Sequence, residues 1–146
     1  MTLRQCVAAM VIAGGFVSLG GSAAAQSEAR FKGRLSPVPI DAAMRGSVKG
    51  GGSLTAVLVG TKLTITGSFD GLTGPATVAR VHRSQAMGVR GSAIHDLTVS
   101  KAASGTLTGT FDLTPDQVDS LRMGKVYIQI HSEKAPDGNL WGWLLR

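Results

Sequence analysis

The sequence predicts an all-β protein, an antiparallel Greek-key β-sandwich with one short helix. Three observations carry that expectation. Apolar and polar residues alternate with a period of two over most of the chain, as in Lys62-Leu-Thr-Ile-Thr66, the pattern of strands buried on one face. Glycines or proline-containing turns separate most of the alternating stretches. A single segment abandons that period for helix start and stop signals. Eight short strands with one helix crossing between two of them describe an all-β sandwich or barrel with Greek-key character, and the sandwich is the expectation.

Residues 1–25 stand outside this pattern. Arg4 marks a basic n-region, Val7–Gly20 is an apolar run, and Ser22-Ala-Ala-Ala25 offers an A-x-A cleavage site. Together these predict a secretory signal peptide cut near Ala25, and hence a secreted or periplasmic protein. The apolar run falls short of the roughly 20 residues that a spanning helix needs, so no transmembrane segment is expected in the mature chain. Cys6 lies too far upstream for a lipoprotein cleavage site. The expected mature chain, 26–146, is a single domain. A chain of that size buries about two-thirds of its unfolded surface.

Phe31–Leu35 is the first expected strand. Ala42–Gly52, which contains MRGSVKGGGS, reads as a flexible glycine-rich connection; it has neither GxGxxG spacing nor the strand–helix context of a phosphate loop. Ser53–Val59 and Lys62–Phe69 flank Gly60-Thr61, a pair suited to a two-residue hairpin loop. Thr77–Arg83, Ile94–Ser100 and Thr106–Leu113 follow as strands. Thr114-Pro-Asp-Gln117 has capping-box spacing with proline at the first helical position, and Gly124 supplies a stop, so Pro115–Met123 is expected as a helix. Lys125–His131 and Leu140–Leu145 complete the set, with a turn expected at Pro136-Asp-Gly138.

Composition narrows the function. The only cysteine, Cys6, leaves with the signal peptide, so the mature chain is expected to hold no disulfide, thiol nucleophile or thiolate metal site. Cleavage removes one basic residue, Arg4, leaving 14 Lys and Arg against 9 Asp and Glu. The excess is scattered and not in blocks, as on a solvated surface, although an acidic partner fits the sign. No nucleic-acid partner is expected: no reading module is present and the few aromatics form no stacking platform. Nor is catalysis. No serine sits in a G-x-S-x-G elbow, and the carboxylates are too scattered to suggest a glycosidase pair.

Histidine is the one residue type here with catalytic or metal-binding chemistry. Strand parity puts Tyr127, Gln129 and His131 on one face, and Val78, Arg80 and His82 together. Were the two strands adjacent, His82 and His131 would be candidate ligands for Zn or Cu, with Asp96, Glu133 or Asp137 completing the set. Against this, Arg80 sets a fixed positive charge two residues from His82, and no H-x-H pair occurs. No cofactor is therefore the first expectation. Trp141 and Trp143 share a face, either as packing or as a binding platform. Arg80, Arg83 and Arg90, with Tyr127, Trp141 and Trp143, are the candidate binding residues.

Several stretches resemble the CHRD domain, a module named after chordin and also found alone in secreted bacterial proteins. Phe31-Lys-Gly-Arg-Leu-Ser-Pro-Val-Pro39 is similar to the family's opening strand and turn. Leu63–Leu72 resembles its central strand, which leads into a gly-leu turn. Ala79-Arg-Val-His82 with Ala86-Met-Gly-Val-Arg-Gly91 resembles its AHIH…G…G segment. Gly124-Lys-Val-Tyr-Ile-Gln-Ile-His131 with Pro136-Asp-Gly-Asn-Leu-Trp-Gly142 is similar to G-x-x-Y-V-N-V-H-T…P-x-G-E-I-R-G. Arg80 stands where the family has the first histidine of HIH. The resemblance implies an immunoglobulin-like or superoxide-dismutase-like β-sandwich, and for bacterial single-domain forms no established activity.

The expectation is thus a secreted, non-catalytic binding or structural module whose partner is an unknown protein or an acidic polysaccharide. One alternative is a superoxide-dismutase-like metalloprotein using His82 and His131. The other is an acidic-polysaccharide binder using the arginines.

Overall fold

The structure, a computed structural model, describes residues 27–146; the expected signal peptide and its cleavage site lie outside the described residues. Eight strands form among them: β1 (Glu28–Pro37), β2 (Gly51–Val59), β3 (Lys62–Asp70), β4 (Ala76–Arg83), β5 (Ser92–Val99), β6 (Gly105–Asp112), β7 (Val126–Ser132) and β8 (Ala135–Trp143). One helix, α1 (Pro115–Arg122), joins β6 to β7. Every strand pairing is antiparallel.

The expected two-layer sandwich is corrected to a closed barrel, with strand order β1-β2-β3-β6-β5-β4-β7-β8. Long ladders join β1-β2-β3-β6 on one side and β5-β4-β7-β8 on the other. Two short seams close the ring: Thr98↔Thr108 with Val99↔Leu107 between β5 and β6, and Ser36↔Trp141 with Pro37↔Leu140 between β8 and β1. Lys32 and Leu145 exchange backbone hydrogen bonds of 2.7 and 2.9 Å, which reinforces the second seam. Closure pairs edge groups that an open sheet would leave bare. Period-two alternation is the same whether a half-buried strand lies in a sandwich or a barrel, so the pattern did not distinguish them.

Inward-facing residues fill the barrel, among them Phe31, Leu58, Ile65, Val81, Leu107 and Ile130, each at most 1 % exposed. Local chemistry forms the elements as expected. Gly60, at φ +63°, opens the two-residue loop that pairs Val59 with Lys62. Thr114 and Gln117 close a reciprocal capping box at the start of α1. At its end, Gly124 (φ +71°) lets its own N–H reach the Leu121 carbonyl and that of Lys125 reach the Ser120 carbonyl, as in a Schellman motif.

Two connections depart from expectation. Ala42–Gly52 is an ordered segment, not a loose linker. Asp41 accepts hydrogen bonds from the N–H groups of Ala43 and Met44, opening a 3-10 turn at Ala42–Met44, and Val48 is buried. Gly51 and Gly52 already belong to β2. The β7–β8 turn is Glu133-Lys134, and Pro136-Asp-Gly138 lies within β8. There the ladder shifts register, and Gly138 takes φ +130°. Turn-forming residues here build an irregular strand start.

Candidate functional site

The β4–β7 pairing sets the site. It aligns Val78 with His131, Arg80 with Gln129, and His82 with Tyr127, and carries Arg83 beside Val126. His82 and His131 therefore share the barrel's outer face at different levels. The four steps from Val78 to His82 span about 13 Å of strand, with the Arg80–Gln129 pair between. Each imidazole also has its own partner. His82 Nδ1 lies 3.0 Å from the Gly91 carbonyl, and His131 Nδ1 lies 2.8 Å from the Pro136 carbonyl. Since a carbonyl only accepts, each Nδ1 carries the proton. The register does not bring His82 and His131 together for one ion, and among the described residues no three His, Cys, Asp or Glu side chains gather to hold a metal.

Of the aromatic candidates, Tyr127 and Trp141 are buried and Trp143 is half-buried beside them. Tyr127 is 1 % exposed and Trp141 9 %. Tyr127, Trp141 and Trp143 lie with ring centroids 4.6 to 5.6 Å apart. Val38 and Val48, with Met44, cover them and form a second apolar cluster outside the barrel. Asn139 Nδ2 donates to the Lys49 carbonyl (3.0 Å), which ties the covering segment down. Tyr127 and Trp141 thus present no open platform, because the 38–48 segment occupies that face.

The arginines separate. Arg80 turns to Asp96 on β5, with Nε 2.9 Å from Oδ1, in a shallow depression shared with His95. Arg83 and Arg90 instead line a cleft of about 620 Å³ between the 84–91 loop and the end of α1, together with Lys125. Ser84, Gln85, Ser92 and Ser120 add polar groups, Ile94 and Met123 an apolar wall, and no carboxylate lines it. Arg83 Nε donates to Ser120 Oγ (2.7 Å), and Ser120 Oγ donates to the Asp116 carbonyl (2.9 Å), so the guanidinium is aimed from the helix. Arg90 Nη1 donates to the Asp137 carbonyl (3.1 Å). Among the described residues the salt bridges are Arg30–Glu28 and Arg80–Asp96, so neither Arg83 nor Arg90 is neutralised by a carboxylate.

A buried polar anchor holds the cleft's outer wall. The Gly91 N–H donates to the Tyr127 hydroxyl (3.0 Å), while the Gly91 carbonyl accepts from His82. His82 stacks on Tyr127, with ring centroids 4.8 Å apart and planes 13° from parallel. Its Nε2 is buried without a partner. Burial above all holds the His82 imidazole below its ordinary value of 6.5, and the charges of His131, Arg80 and Arg90 push the same way against the Gly91 hydrogen bond.

Sequence reasoning missed Lys125, Ser84, Ser120 and Met123 as members of this cleft. The available signal was Arg83 and Arg90 bracketing a short stretch, Ser84–Val89, that has no strand period. A closed antiparallel β-barrel with an exposed cleft lined by cationic and hydroxyl side chains defines the structural class. Within that class, the CHRD domain family model matches residues 34–144, and the chain belongs to that family. No curated protein and no solved structure matches the chain.

Proposed function

We propose that the protein is an exported, non-catalytic binding module that takes acidic groups of its ligand in the cleft between the 84–91 loop and α1. The observation that carries this is three cationic side chains, Arg83, Arg90 and Lys125, around one cleft that no carboxylate lines. Concave surfaces of one sign focus potential and concentrate counter-charged ligands, and guanidinium groups pair in bidentate fashion with carboxylate, sulfate or phosphate. The serines supply hydroxyl donors at the same wall. Nothing in this reading calls on a metal or on a nucleophile. The crossing connections β3–β4 and β6–β7 favour a Greek-key description of the barrel.

An acidic polysaccharide is the soluble probe of this chemistry. The protein is expected to be retained on heparin or polygalacturonate in moderate salt, and Arg90→Glu is expected to elute at markedly lower salt. Flow-through of the wild type at low salt contradicts the proposal, as does unchanged retention of the variant.

A further inference from the structure

The three most exposed large apolar side chains of the described residues lie at the cleft's end of the barrel. They are Met87 (60 % exposed), Val89 (51 %) and Met123 (61 %). Met123 lines the cleft itself, and Met87 and Val89 form the tip of the loop whose ends, Gln85 and Arg90, also line it. A soluble polyanion needs the cations and has no use for this apolar tip. We propose that this end of the barrel docks on an anionic lipid surface, with Met87 and Val89 entering the apolar layer while Arg83, Arg90 and Lys125 meet headgroup phosphates. This rests on the cleft's reading as an anion site and names the source of the anions.

The loop is built for that contact. Ser84 Oγ lies 2.9 Å from the Ala86 carbonyl and 2.6 Å from that of Val89, and the Val89 N–H donates to the Ala86 carbonyl (3.2 Å). Backbone groups satisfied within the loop cost less to withdraw from water than open ones. Gly88, at φ +85°, supplies the tight turn that leaves Met87 and Val89 pointing away from the barrel. At the other end Tyr127 and His82 pin Gly91, so the tip is presented by a fixed base. Apolar side chains ringed by cations are the two-part signal by which a protein lies on an anionic interface.

Vesicle co-sedimentation tests it, with phosphatidylcholine alone and with added phosphatidylglycerol. Wild type and variants are exported and purified alike, so they differ only at the substituted positions. The wild type is expected on the anionic vesicles only. Met87→Ser with Val89→Ser is expected to lower its partition by about tenfold, Met87→Leu with Val89→Ile to preserve it, and both pairs to keep wild-type retention on heparin. Heparin binding without vesicle binding overturns this inference and leaves the cleft reading intact. Loss of both overturns both. Vesicle binding that the serine pair does not weaken assigns the contact to charge alone and overturns the insertion. A dimer that dissociates in the serine pair assigns the tip to self-association and overturns it too.

Discussion

His82 shows how one half-buried ring serves the cleft from beneath. It stacks on Tyr127 and donates through Nδ1 to the Gly91 carbonyl, leaving Nε2 buried and bare. Protonation puts a charge on that nitrogen with no acceptor to receive it, beside Arg80, Arg90 and His131. Because the folded state holds the imidazole below 6.5, the unfolded chain binds more protons just under that pH, and stability rises with pH there. The contribution is complete above 6.5 and is lost as pH falls from 6.5 through the lowered folded value. His82→Phe keeps a ring for Tyr127 and removes the titration. Thermal melts are expected to show wild-type stability falling more steeply than that of His82→Phe in the window below 6.5. Parallel pH profiles would contradict this account. The outer-face position of His82 was legible from strand parity. Its role was not, because Gly91 and Tyr127 reach it across a loop and a neighbouring strand.

At the scale of elements, the strand start at Pro136-Asp-Gly138 organises more than its own backbone. The Pro136 carbonyl accepts from His131, and the Asp137 carbonyl accepts from both Gln129 and Arg90. A Cβ on Gly138 would sit 2.5 Å from Gln129 Nε2, at a φ of +130° that side chains rarely adopt. Gly138→Ala is therefore expected to cost about 1–3 kcal/mol, measured by denaturant unfolding, and to shift Arg90 with it. An unchanged midpoint would show that the irregularity is slack. Strand and helix positions were legible because period two, the capping box at Thr114 and the glycine stop at Gly124 are local signals. The Pro-Asp-Gly stretch misled because turn chemistry and bulge chemistry use the same residues. Whether it turns or bulges depends on where Ser132 pairs, which here is with Ala135.

Over the whole molecule, pairing non-neighbouring strands creates the site. The adjacency of β4 and β7 brings Arg83 to Lys125, and the Ser84 N–H donates to the Lys125 carbonyl (2.8 Å). The β4–β5 pairing instead sets Arg80 opposite Asp96, out of the cleft. Thus three basic residues that look scattered along the chain, Arg83, Arg90 and Lys125, meet at the cleft, while Arg80 is ion-paired away from it. Family membership was legible in short motifs, which fall on β1, β3, β4, β7 and β8. The cation grouping was not, because it depends on a crossover and a loop. Acidic groups are expected to bind in this cleft. The most direct measurement is calorimetric titration with a short polyuronate, comparing wild type, Arg83→Gln with Arg90→Gln, and Arg80→Gln. Binding is expected to weaken with added salt, to be lost in the cleft pair and to be kept in Arg80→Gln. Binding that survives the cleft pair, or is lost in Arg80→Gln, would contradict it.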